Sequence, residues 1–156
     1  MPSTPSKKKL QIPLDIHIGG DIVVSMKDTD TLTINPSHKI TVERIKDLLC
    51  NAIEGGSGYW IKTLDRMGGI DCEQARYRQD VPFVEGGWLE LVELNEEWQN
   101  ATAFKYRIDL EVIKTGLTIF AAKYPRHFAD FIAENDDADT GDIFLQCCCF
   151  GEAIYG

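Results

Sequence analysis

The 156 residues contain no lysine or arginine after Arg126, only three histidines, and no apolar run of the ~18–20 residues that a membrane-spanning helix requires. Each absence argues against a class of function. Grip on a phosphate backbone needs clustered cations, so a net charge of −9 argues against nucleic acid as a direct partner. His17, His38 and His127 form no i, i+4 pair and no HExxH, which removes the zincin type of metalloprotease. GxSxG, GxGxxG and GxxxxGK[ST] are missing as well, so no motif-coded serine nucleophile or standard nucleotide-phosphate loop is encoded. CxxC is absent too. The five cysteines (Cys50, Cys72, Cys147, Cys148 and Cys149) are odd in number, and no continuous apolar stretch follows the basic start. Reduced thiols and a cytoplasmic setting, with no membrane partner, are therefore expected. Three adjacent cysteines suggest a metal cluster, but neighbours on a helix point ~100° apart and cannot converge on one ion. They read as small apolar side chains. No metal, cofactor or catalytic residue is expected.

What remains is an ordinary globular composition, 44% hydrophobic and 26% charged, at a length typical of one domain. Residues 1–9 read as a flexible lead. Ile12, Leu14, Ile16 and Ile18 alternate as in a strand, with Pro13 pointing to a sheet edge and Gly19-Gly20-Asp21 to a hairpin turn. Strands over 21–27 and 31–34 complete an N-terminal β section, 10–36. Thr41 is the expected N-cap of a helix over 42–53, whose Val42, Ile45, Leu48, Leu49, Ala52 and Ile53 form one apolar stripe, ended by Gly55-Gly56.

A strand is expected from Tyr59, an irregular connection over 64–80, a strand or hairpin over 83–94, and a short strand over 104–108. Asp109 caps a helix over 110–123 with Gly116 inside it, and Pro125 opens another. Residues 135–141 read as an acidic loop, 143–150 as a helix apolar almost all round, and 152–155 as a segment able to pair back into the sheet. The fold class that follows is α+β: one domain over 10–156, mainly antiparallel sheet packed against three to four helices.

Two Glu-Gly-Gly elements, 54–56 and 85–87, are each followed by tryptophan. Glycine pairs let a backbone approach a ligand closely, and aromatic faces stack on flat rings. Glu54, Gly55, Gly56, Tyr59, Trp60, Glu85 and Trp88 are therefore the candidate ligand-binding residues. Gln146, the lone amide in an apolar helix, and Tyr155 join them; a helix cap and a β-bulge with core aromatics are the plainer alternative. Residues 136–142 look like a calcium loop, but the closing glutamate position falls on Cys147, so calcium is not expected. The seven carboxylates after Arg126 could also dock on a basic partner.

The segments Glu54-Gly55-Gly56-Ser57-Gly58-Tyr59-Trp60, Glu85-Gly86-Gly87 and Asp142 to Gly156, ending Phe150-Gly151-Glu152-Ala153-Ile154-Tyr155-Gly156, resemble a family of small conserved proteins carried by bacteriophages and plasmids. The resemblance covers residues 40–156, with Cys147-Cys148-Cys149 departing from the usual aliphatic or aromatic residues. It implies a setting in the host cytoplasm and a counter-defence role, and it carries over no catalytic residues. The expected function is a non-enzymatic binding protein that sequesters a nucleotide-like immune signal. The alternative is an acidic inhibitor or DNA mimic that binds a host defence protein. A homo-oligomer completed by the apolar C-terminal segment is a further expectation.

Overall fold

A computed structural model of the chain describes residues 24–26, 32–34, 37–94 and 104–156. The expected lead over 1–9, the strand over 10–18 and the hairpin turn at Gly19-Gly20 lie outside the described residues. The chain divides into two compact units, Met1–Lys39 and Ile40–Gly156. In the first, β1 (Val24–Met26) pairs antiparallel with β2 (Leu32–Ile34), Val24 opposite Ile34.

The second unit is α+β, with a three-stranded antiparallel sheet and four α-helices among the described residues. Helix α1 (Val42–Asn51) begins where the Thr41 side chain accepts from the Arg44 N–H at 3.3 Å. Its stripe buries Ile45, Leu48 and Leu49, while Val42 faces outward. The helix does not stop at Ile53 as expected. It widens into a π-helical turn, Ala52–Gly56, closed by the Ser57 N–H on the Ala52 carbonyl.

The packing accounts for this. A Cβ on Gly56 would lie 2.1 Å from the Ala138 carbonyl oxygen, and one on Gly141 would lie 2.6 Å from the Ala52 nitrogen. Two backbones thus meet where side chains would hold them apart.

β3 (Ile61–Met67), β4 (Trp88–Glu93) and β5 (Lys105–Ile108) follow in the order β3-β4-β5. The expectation of an irregular stretch from residue 64 is corrected here: Leu64 to Met67 belong to β3, and Arg78–Phe83 is a 3₁₀ helix. At a sheet edge the ladder is made by the backbone, so Asp65 and Arg66 keep their polar heads out of the core without breaking the strand. Central β4 buries Leu89, Leu91 and Val92.

α2 (Leu110–Lys123) is capped by Asp109, and α3 (Pro125–Ile132) opens with proline. α4 (Ala138–Phe150) starts earlier than expected, because Asp137 caps it by accepting from the Thr140 N–H at 2.9 Å. Acidic residues favour a helix N-terminus, which turns most of the supposed acidic loop into a first turn. α4 is the central element, burying Phe144, Leu145, Gln146 and Cys147 between α1, α2 and β5. Gly116 lets α2 approach it: a Cβ there would sit 2.2 Å from the Cys148 sulfur and 3.0 Å from its Cα. Beyond Gly151 the chain does not join the sheet as a strand, a correction explained by the bonds below.

Candidate functional site

The π turn and the tight turn after it place Ser57, Tyr59 and Trp60 against the first half of α4. All three donate to one carboxylate. Asp142 accepts from Ser57 Oγ at 2.6 Å and Trp60 Nε1 at 2.7 Å on one oxygen, and from Tyr59 OH at 2.8 Å on the other. Gln146, one helical turn further along α4, donates to the second oxygen at 2.8 Å. Among the described residues no lysine or arginine joins the cluster, and the donors to this buried carboxylate are all neutral. Burial and the bond to Asp142 push the Tyr59 phenol up to about 12.

Gln146 uses its other end on the tail. Its Oε1 accepts from the Ile154 and Tyr155 N–H groups, both at 2.8 Å, and its Nε2 donates to the Tyr155 carbonyl at 3.2 Å. The amide side chain thus satisfies backbone groups that a sheet would otherwise take up, and this is why the tail forms no strand. The Tyr124 hydroxyl accepts from Ala153 N–H at 2.7 Å.

So held, the Tyr155 ring stacks on Trp60 with centroids 5.6 Å apart and planes 9° off parallel, and Phe150 packs on both. Tyr155 OH and Tyr106 OH both donate to Glu93, another buried carboxylate. The bond to Glu93, with burial, pushes the Tyr155 phenol up to about 12, and burial with the same carboxylate raises Tyr106.

The structure therefore brings together Tyr59, Trp60, Gln146 and Tyr155 of the expected residues. Gly56 sits beside them in the helix contact, while Glu54 and Gly55 face outward on the turn. Glu85 and Trp88 are elsewhere. Trp88 pairs with Met67 at one end of the β3–β4 ladder, whereas Trp60 accepts a bond from Leu94 N–H beyond the other end. The length of β4, roughly 17 Å at ~3.3 Å per residue, separates them. Trp88 instead lies under the Arg107 guanidinium, 4.5 Å from its ring centre. Trp60 is 1% exposed and Gln146 fully buried, so neither is open to a ligand, whereas Tyr59 is 52% exposed.

Ser57, Glu93, Tyr106 and Asp142 were missed. Asp142 had one signal: it stands four residues before Gln146 on an otherwise apolar helix, which puts two polar groups on one face. The cysteines of α4 line its packed sides. Burial pushes the Cys147 thiol up to about 11 and those of Cys148 and Cys149 higher still, so they are protonated, weak nucleophiles. Asp136, expected on an acidic surface, is instead turned inward, paired with Arg44 and accepting from Asn51 Nδ2 at 2.8 Å.

One open depression adjoins this turn, a groove of 360 Å³ that starts at Gly58 and runs along β3. Among the described residues no helix is long and apolar enough to cross a membrane, and no group of three or more His, Cys, Asp or Glu side chains gathers as metal ligands would. Comparison with protein-family models, with curated proteins and with solved structures finds no match for this chain.

Proposed function

We propose that this chain is a non-enzymatic binding protein of a bacteriophage or plasmid, a counter-defence factor that sequesters a nucleotide-like immune signal. The observation that carries the reading is Tyr59. Its hydroxyl is tied to Asp142 at 2.8 Å while the residue as a whole is 52% exposed, so the side chain is anchored at the surface. A preorganised ring loses little freedom when a base stacks on it. The polar groups behind it are occupied by one another: Asp142 takes four donors and Gln146 holds the tail, which suits recognition better than turnover.

The test is thermal unfolding of the protein with linear and cyclic nucleotides. A ligand at ~100 times its Kd adds about 2.7 kcal/mol of stability, a rise of a few degrees for a domain of this size. Tyr59→Phe keeps the ring and should keep the shift, whereas Tyr59→Ala should lose it. A panel that moves nothing overturns the reading.

A second reading is favoured by a different observation. Asp130, Glu134, Asp139 and Glu152 are all exposed, in a stretch that has no lysine or arginine. Such a surface suits an inhibitor that docks on a basic host protein, and reversing Asp130, Glu134 and Asp139 should slow that association most at low salt. Equal rates for the wild type and the reversed variant would sink it.

A further inference from the structure

We infer that the groove along β3 is the seat of the ligand and that it takes a phosphate-bearing nucleotide through Lys62 and Arg78, an inference that rests on the nucleotide reading above. Lys62 is the extra residue of a β-bulge: Ile61 lies opposite Glu93 and Thr63 opposite Val92, so Lys62 has no partner in β4. A bulge re-aims the side chain it carries, and such irregularities concentrate at sheet edges and binding sites. Arg78, at the start of the 3₁₀ helix, lines the same groove.

Neither cation has an ion pair or hydrogen bond among the described residues. Elsewhere Arg44, Lys46, Lys105, Arg107, Lys114 and Lys123 have a carboxylate within 4.0 Å; Lys39, Arg66, Arg76 and Arg126 have none among the described residues, but none of these four lines the groove. On a chain of net charge −9, two cations that line one depression with no ion pair among the described residues make a local positive site in a negative field.

The rest of the lining suits the remainder of a nucleotide. Ile53 and Leu64 supply apolar surface for a sugar or base, and Asp65 can accept from a ribose hydroxyl or an exocyclic amine. The same carboxylate opposes a second anionic group beside it. The volume, 360 Å³, is at the small end of the ~300–1,000 Å³ usual for ligand sites, which fits one nucleotide unit better than two.

The test is isothermal titration calorimetry of the whole chain with adenosine, AMP, ATP, cyclic AMP and a cyclic dinucleotide as probes. Lys62→Ala and Arg78→Ala are run beside the wild type, and Arg126→Ala serves as an exposed basic control outside the groove. Lys62 and Arg78 are exposed, so both variants should fold, which their melting curves check. The expected result is that a phosphate-bearing probe binds at least tenfold more tightly than adenosine. Each groove variant should then lose at least tenfold in affinity, and the loss should shrink at high salt, while Arg126→Ala binds like the wild type. If the wild type binds a nucleotide and both groove variants match it, the seat is elsewhere and only this inference falls. If the wild type binds none of the probes, the nucleotide reading falls, and this inference with it.

Discussion

At the scale of single residues, Asp142 and the close-packed glycines hold the site. Asp142 takes four donors on two oxygens, with no cation beside it among the described residues. Asp142→Asn would turn an N–H toward donors that need an acceptor, leaving at least one buried donor unpaired. The expected cost is ~1–3 kcal/mol, seen as a lower urea midpoint; an unchanged midpoint would mean that the four bonds are not made.

Gly116 gives a test of sign. Alanine in a helix interior is favoured over glycine by ~1 kcal/mol on propensity alone. Here the added Cβ would meet Cys148 at 2.2 Å, with that residue's backbone close behind, so Gly116→Ala should destabilise through overpacking. A raised melting temperature would show that α2 and α4 are not in such close contact.

At the scale of elements, the starts of α1, α2 and α3 were readable, while the turn that follows α1 and the start of α4 were not. Thr41, Asp109 and Pro125 stand where the sequence analysis expects them, because a cap is a local bond between residues three apart. The π turn goes with Gly56 meeting Ala138 and Gly141 meeting Ala52, contacts between residues more than eighty apart that no local pattern encodes, whereas the early start of α4 is a local cap by Asp137 within a run of carboxylates that reads equally well as a loop.

The two aspartate caps yield a pH prediction. The N–H of Val112 holds Asp109, and the N–H of Thr140 holds Asp137, below the ordinary 3.8. A depressed folded value means that the stabilisation is present above ~3.8 and is lost as pH falls through the lower folded values. Asp109→Ala and Asp137→Ala should each cost ~1 kcal/mol at neutral pH and flatten the acid side of the stability curve. An acid limb as steep as that of the wild type would contradict this.

The tail is an element of its own, and Gln146 is the side chain that takes the backbone N–H groups of both Ile154 and Tyr155. Gln146→Leu should raise amide hydrogen exchange at Ile154 and Tyr155 well above that of the α2 core. Unchanged protection there would show that the tail is held by packing alone.

At the scale of the whole second unit, three phenols join the sheet, the tail and α4. Tyr106 and Tyr155 meet on Glu93 of β4, and Tyr59 meets Asp142 of α4. Burial and carboxylate bonds raise all three, Tyr59 and Tyr155 to about 12. These groups favour the folded state while neutral. Their contribution is therefore complete below the unfolded value of ~10 and is lost as pH rises toward the folded ones. Melting temperature should fall steeply between about pH 10 and 12, with tyrosinate absorbance appearing together with unfolding. Ionisation of Tyr59, Tyr106 and Tyr155 near pH 10 in a folded protein would show the carboxylate bonds to be absent.

The sequence by itself determined the α+β class, the caps of α1 and α2, the proline start of α3, the glycine that ends α4 and the burial of α4. These follow from periodicity and from bonds between near neighbours. It also put Tyr59, Trp60, Gln146 and Tyr155 on one candidate site, and the four do meet.

Only the tertiary structure decided which way they face. Trp60 turns its N–H inward to Asp142, 82 residues away, and Tyr155 covers it. Trp88 goes to the far end of the ladder because strand register, not sequence likeness to the first Glu-Gly-Gly, sets its neighbours. Lys62 and Arg78 came to one groove for the same reason: a bulge and a loop return place them there, and no spacing in the chain announces it.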